Sequence, residues 1–184
     1  MKRLISVLVL VAAMFFAPVA EARQNDSRLD TLFARLQVTH DASEAAGIEA
    51  MIWAIWTAAD DDALDQLMTA GIGAMNAGRF AFALERFNAI IEVDPDFAEG
   101  WNKRATLYYL MGNYDDSIAD VERTLALEPR HFGALSGMGL IYTALDDAEA
   151  ALAWFEQAIE VNPHMPGITL RAEFLRKMLK GEPI

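Results

Sequence analysis

Between Ala98 and His131 apolar residues recur at helical spacing in two short runs separated by polar positions. Trp101, Ala105 and Tyr108 stand at i, i+4 and i+7, one face of a helix, and Trp101 on that face is expected to pack inward between neighbouring helix pairs. Gly112 predicts the helix end, because glycine reaches the left-handed conformation at little cost. Asn113 predicts an N-cap for a second helix, with Asp116 three residues on as a weak capping box. That helix carries Ser117, Val121 and Thr124 at i, i+4 and i+7, and Pro129 cannot continue it.

The layout recurs on both sides. Pro95, Pro129 and Pro163 are spaced by 34 residues, a helix–turn–helix repeat period. Residues 64–97 place Leu67, Gly71, Ala74, Gly78, Ala83, Phe87 and Ile90 at matching positions, and residues 132–165 place Leu135, Gly139, Tyr142, Ala151, Phe155 and Ala158 there. These residues resemble the tetratricopeptide repeat family. A large residue, a small one, a second small one and the proline fall in register three times over residues 64–165, and each of the two aromatic positions is filled in two of the three repeats. The resemblance implies an all-α fold, a right-handed α–α superhelix of stacked helix–turn–helix repeats at 64–97, 98–131 and 132–165.

Two positions depart from the family pattern. Asp146 stands where a turn glycine is expected, and Asp146-x-x-Glu149 predicts a capping box in a changed turn. Arg104 stands where the family packs a leucine; its charge must reach water along its stem or pair with an acid, for which Asp120 is the candidate.

The flanks read differently. Residues 1–22 have the form of a secretory signal peptide: Lys2 and Arg3, an uncharged apolar run of 13 residues from Leu4 to Phe16, and the small-x-small site Ala20-Glu21-Ala22. The run is shorter than the ~20 apolar residues of a membrane span. The expectation is cleavage after Ala22, a mature chain from Arg23 and no stable membrane insertion. Resemblance to small secreted bacterial repeat proteins points to the periplasm.

Within residues 23–63, Leu29, Leu32, Phe33 and Leu36 predict a short amphipathic helix. Asp41-x-x-Glu44 opens another to about Ala59, carrying Ile48, Met51, Ile52, Ile55 and Trp56. This pair is expected to be a degenerate repeat capping the stack, with Trp53 and Trp56 buried against the first repeat rather than anchoring a partner. Asp60, Asp61, Asp62 and Asp65 lack the glycine and distant glutamate of a calcium loop, and are expected to cap the next helix. Residues 166–184 predict a C-terminal capping helix from Pro166 and Gly167 to about Lys180, with Ile168, Ala172, Leu175 and Leu179 inward. Its outer face carries Arg171, Arg176, Lys177 and Lys180 against Glu173. That basic face is read as solvated, with an acidic partner or anionic lipid as the alternative.

Charge narrows the function. The net charge is −12, and losing residues 1–22 removes two of 15 basic and one of 27 acidic residues, leaving −13. That excludes a phosphate-binding nucleic-acid surface. Cysteine is absent, which excludes thiolate catalysis and cysteine–zinc sites. His40, His131 and His164 share no ligand spacing, and the last two are expected in loops. No phosphate loop, GxSxG elbow or HExxH motif occurs, so no enzyme activity, cofactor or metal is expected.

What the resemblance implies is a protein-interaction scaffold holding a peptide or protein segment in its concave groove. By register the groove is lined by Met68, Ile72 and Met75 in the first repeat, by Asn102, Lys103, Thr106, Tyr109 and Leu110 in the second, and by Ser136, Leu140 and Thr143 in the third. Asn102, Lys103 and Tyr109 are the expected polar handles beside an apolar, Met-containing floor, Lys103 meeting an acid of the ligand. The family's carboxylate clamp is not reproduced, because Met68, Ile72, Gly133 and Gly137 stand at key clamp positions. A homo-oligomeric array that self-associates through its end helices, and an envelope hydrolase, are the alternatives.

Overall fold

The computed structural model describes residues 26–59 and 61–183, so the signal-peptide reading of residues 1–22 and Asp60 lie outside it. Among the described residues there are nine helices and no strand. Two, α1 (Arg28–Val38) and α2 (Ala42–Thr57), form an N-terminal hairpin. Six form three antiparallel pairs: α3 (Asp62–Asn76) with α4 (Phe80–Val93), α5 (Ala98–Met111) with α6 (Tyr114–Leu127), and α7 (Phe132–Ala144) with α8 (Ala148–Val161). The last, α9 (Pro166–Lys180), covers the third pair. The pairs stack in chain order as an α–α superhelix.

Small residues let the pairs close. A Cβ on Gly71 would lie 2.6 Å from the Phe87 ring, and one on Gly139 would lie 2.4 Å from the Phe155 ring. In the middle pair the small residue is Ala105, whose carbonyl accepts the Ser117 hydroxyl at 2.7 Å. A further stripe joins one pair to the next: Leu107, Ile141 and Leu175, again 34 residues apart, are buried in the cores shared with the preceding pair or with α9.

The turn positions hold, with changes of detail. Gly78 and Gly112 adopt φ of 70° and 77°. Asp146 adopts φ of 60° in the third turn, a conformation that short polar side chains tolerate better than most. The N-cap there is Asp147, which accepts the Ala150 amide at 2.9 Å, so the cap falls one residue later than the Asp146 box. Asn113 occupies the N-cap of α6, but its side chain makes no cap bond. Asp41 caps α2 and Asp61 caps α3, while Asp65 accepts the Ala59 amide at 2.8 Å. Arg104 pairs with Asp120 through two bonds of 2.7 and 2.8 Å, and its third nitrogen reaches Asn88.

Two expectations are overturned. Trp101 is only part-buried and belongs to none of the core clusters between repeats; its indole N–H donates to the Pro95 carbonyl at 2.9 Å, with the Arg104 guanidinium 4.9 Å from the ring centre. The N-terminal hairpin is not an end cap on the first repeat. Its core of Leu29, Phe33, Leu36, Ile52 and Trp56 closes on Phe132, Val161 and Met165, and no residue of α3 or α4 belongs to it. The apolar stripe of α2 is covered instead at the third repeat, by Phe132 at its start and Val161 and Met165 at its end.

Candidate peptide-binding groove

The first helix of each pair carries the groove face, and α9 repeats it. Counting by 34 aligns Met68, Asn102, Ser136 and Leu170 in one row, and Ile72, Thr106, Leu140 and Phe174 in the next. The structure divides these rows into three regions with different fates.

At the first repeat the face is consumed by packing. Met68 is buried at 4% exposure in the core around Phe87, and Ile72 and Met75 lie partly buried against the same cluster. They are not brought together with the groove residues of the later repeats. A thioether or branched side chain at the stack end has the next helix as its nearest apolar surface, so it turns inward.

Between α5 and α7 a hollow of about 140 Å³ remains, lined by Asn102, Thr106, Tyr109, Ser136, Gly137 and Leu140. The Tyr109 ring leans on Tyr114 at 5.9 Å between centres. Thr106 and Thr143 spend their hydroxyls on carbonyls one turn back, at 2.9 and 2.7 Å, and Ser136 spends its own on Gly133 at 3.0 Å. Thr143 stands apart, lining an apolar recess against α9. Leu110 is 50% exposed and lines none of these hollows.

At the entry of α5 and α7 the groove is already occupied. The buried Glu99 carboxylate takes the Asn102 amide at 2.8 Å and His131 Nε2 at 3.0 Å on one oxygen, and Lys103 Nζ lies 2.7 Å from the other. His131 is fully buried, not a loop-surface histidine. Its Nδ1 accepts the Ala134 amide at 3.0 Å, so the ring proton sits on Nε2 and is donated to Glu99. The imidazole stacks on Trp56 at 4.2 Å with 10° between planes. Burial by itself pushes the Glu99 carboxyl up. The His131 hydrogen bond and the Lys103 charge outweigh that and hold it below the usual carboxylate range. Lys103 also lies 5.4 Å over the Trp53 ring. It is therefore committed within the molecule, not waiting for a ligand's acid, and Asn102 is committed likewise.

Reasoning from the sequence missed three contributors: the Glu99–His131 pair, Trp53, and α9. Only α9 carried a readable signal, because one more step of 34 from Ser136 and Leu140 reaches Leu170 and Phe174. These are 66% and 45% exposed, so the groove floor continues beyond the third repeat as an apolar strip. The basic side chains of α9 sort themselves beside it: Arg176 pairs with Glu156 at 2.7 Å and Lys180 reaches Glu182 at 3.9 Å, while Arg171 and Lys177 have no ion-pair partner among the described residues.

Comparison with known proteins follows this geometry. The profile described as tetratricopeptide repeat matches residues 96–163. A TPR repeat-containing protein of Rhizobium etli is 38% identical over 136 residues, covering 74% of this chain and 67% of the relative. The Hsp70-Hsp90 organizing protein of Triticum aestivum is 29% identical over 119 residues, which is 65% of this chain but only 20% of that longer protein. Among solved structures, the first TPR of Spaghetti (RPAP3), bound to the HSP90 peptide SRMEEVD, superposes with a TM-score of 0.60 at 20% identity. The match covers 64% of this chain and 93% of that one.

Proposed function

The chain belongs to the tetratricopeptide repeat family, and from that premise we propose that it is a non-catalytic protein-interaction scaffold of the bacterial envelope, binding a peptide or protein segment on its concave face. The observation that carries this reading is the α5–α7 hollow, lined by Tyr109 and Leu140 beside Asn102, Thr106 and Ser136, and continued at the same 34-residue spacing by exposed Leu170 and Phe174 of α9. That the RPAP3 domain is described with a bound peptide supports it by fold. The buried acid–base pair Glu99–His131 is sealed from solvent and cannot meet a substrate, which supports a non-catalytic role. Export to the periplasm rests on the sequence of residues 1–22, and N-terminal sequencing from the native host tests it: Arg23 is expected first.

The groove is tested by capture from an envelope extract. Gly137 lines the α5–α7 hollow and a Cβ on it meets nothing within 4 Å, so Gly137→Trp is the variant chosen to obstruct the hollow. The wild type retains a partner and the variant loses it at unchanged melting temperature. Equal retention by both removes the groove as the binding face. The exposed strip of Leu170, Phe174 and Met178 also favours a second reading, self-association through the end helix. A molecular mass that rises with concentration, measured by sedimentation, decides for it.

A further inference from the structure

The hairpin does more than cover aromatic rings. Between α2, the start of α7 and the start of α9 it walls off a cleft of about 480 Å³, within the roughly 300–1,000 Å³ of ligand pockets. Trp53 supplies one wall, Phe132 and Leu140 the floor, and Met165 and Ile168 the far side. The Trp53 wall exists because residue 133 is glycine: a Cβ there would lie 2.6 Å from Trp53 Cη2. The walls are pinned. Asn162 donates to Glu49 across the mouth, His164 Nε2 reaches the Leu36 carbonyl at 3.1 Å, and Gln37 donates to the Glu160 and Val161 carbonyls at 2.7 Å. A site held in this way loses little conformational freedom on binding.

The polar groups at the cleft sort by whether they are spent. Ser136, Asn162 and His164 all have partners inside the molecule, and the one carboxylate of the lining, Glu49, is engaged as the acceptor of the Asn162 amide. The exposed Arg171 guanidinium has no ion pair among the described residues, on a protein of net charge −12. Apolar walls with one uncommitted cation at the rim define the complementary ligand. Resting on the groove reading above, we propose that this cleft is a built binding site for an internal peptide segment that seats a bulky aliphatic or aromatic side chain against Trp53, Leu140 and Ile168 and sets an Asp or Glu on Arg171. A chain terminus fits less well, because holding a free carboxylate takes several converging donors and the rim offers one cation.

The test uses the chain from Arg23 and blocked hexapeptides with a central Leu-Phe followed by Glu, matched peptides with Lys in place of Glu, and a free-acid form lacking the Glu. Binding is read by calorimetry. The Glu peptide binds about tenfold or more tighter than the Lys peptide, as one charge-assisted contact allows. Arg171→Glu reverses that preference. Gly167→Trp abolishes Glu-peptide binding; Gly167 lines the cleft and a Cβ there meets nothing within 4 Å, so the backbone admits a side chain at that point. Equal affinity for the Glu and Lys peptides, an unchanged preference in Arg171→Glu, or tighter binding of the free-acid form each overturns the proposal. If Gly167→Trp lowers the melting temperature, the exposed Arg171 variant still decides. Capture of the native partner separates this proposal from the wider reading. Loss with Gly137→Trp but retention with Gly167→Trp leaves the groove standing and sinks the cleft. Retention by both variants sinks both.

Discussion

The three repeats and the N-terminal hairpin are held by different kinds of contact. In the repeats each ring meets its small residue within the same 34, as Phe87 meets Gly71 and Phe155 meets Gly139. These two contacts are apolar and stand at the same register in the first and third repeats; in the middle one Ala105 and Val121 share a core instead. The hairpin docks by contacts that occur once: Trp56 on His131, Arg130 on Asp30 at 2.7 Å, Asn162 on Glu49. Its partners lie about 50 to more than 120 residues away along the chain, and many of them are polar. A periodic apolar core tolerates graded loss, because each repeat adds its own term and a neighbour term. A one-off buried polar lock fails when one member goes, because the others are left unpaired in a dry site.

The largest expected effect breaks the repeat side of this contrast. Phe155→Ala empties a fully buried site against Gly139 and costs on the order of 3–5 kcal/mol. Thermal unfolding should drop for the array as a whole. A loss confined to α9 would show that the repeats do not share their stability.

Next in size is the lock. Glu99→Gln removes the charge that holds Lys103 and receives the His131 proton, and costs about 1.5–3 kcal/mol near neutral pH. The sign with pH follows from the lowered Glu99 value. The carboxylate's contribution is complete above the unfolded value of about 4.3 and is lost as pH falls through the lower folded value. Wild type and variant should therefore differ at pH 7 and converge in acid. Proteolysis at residues 58–61 reads the hairpin's release separately from global melting. A difference between the two proteins that stays constant down to pH 2 would detach Glu99 from the lock.

The smallest effect sharpens the comparison at its edge. A Trp101 packed between repeats would cost as much as Phe155, but the part-buried ring outside the core clusters gives about 1–2 kcal/mol for Trp101→Ala, within the range of ordinary substitutions. Urea denaturation measures it; a cost above 3 kcal/mol would return Trp101 to the core.

Much of the fold was legible from single residues. The glycine at 71, the alanine at 105 and the glycine at 139 declare close helix approach, and the prolines at 95, 129 and 163 declare where each pair ends. Less of the site was legible. Groove positions followed from register, but register cannot tell that Met68 turns into the core or that Lys103 and Asn102 are spent on Glu99. His131 follows a repeat-ending proline and has the sequence context of a surface loop; its burial depends on Trp56, which no local pattern connects to it.

By itself the sequence determined the helices, their pairing and the order of the stack. Those features arise from contacts inside one 34-residue unit or between adjacent units, and local periodicity records such contacts. Only the tertiary structure decided where α1–α2 goes. The hairpin is apolar enough to cover either the first repeat or the junction at Phe132, and the choice depends on shape and on partners far along the chain. A bare Gly133 admits Trp53, a fully buried imidazole accepts the face of Trp56, and loop carbonyls at 160 and 161 accept Gln37. These contacts happen once and leave no period behind, so they exist only when the chain is folded.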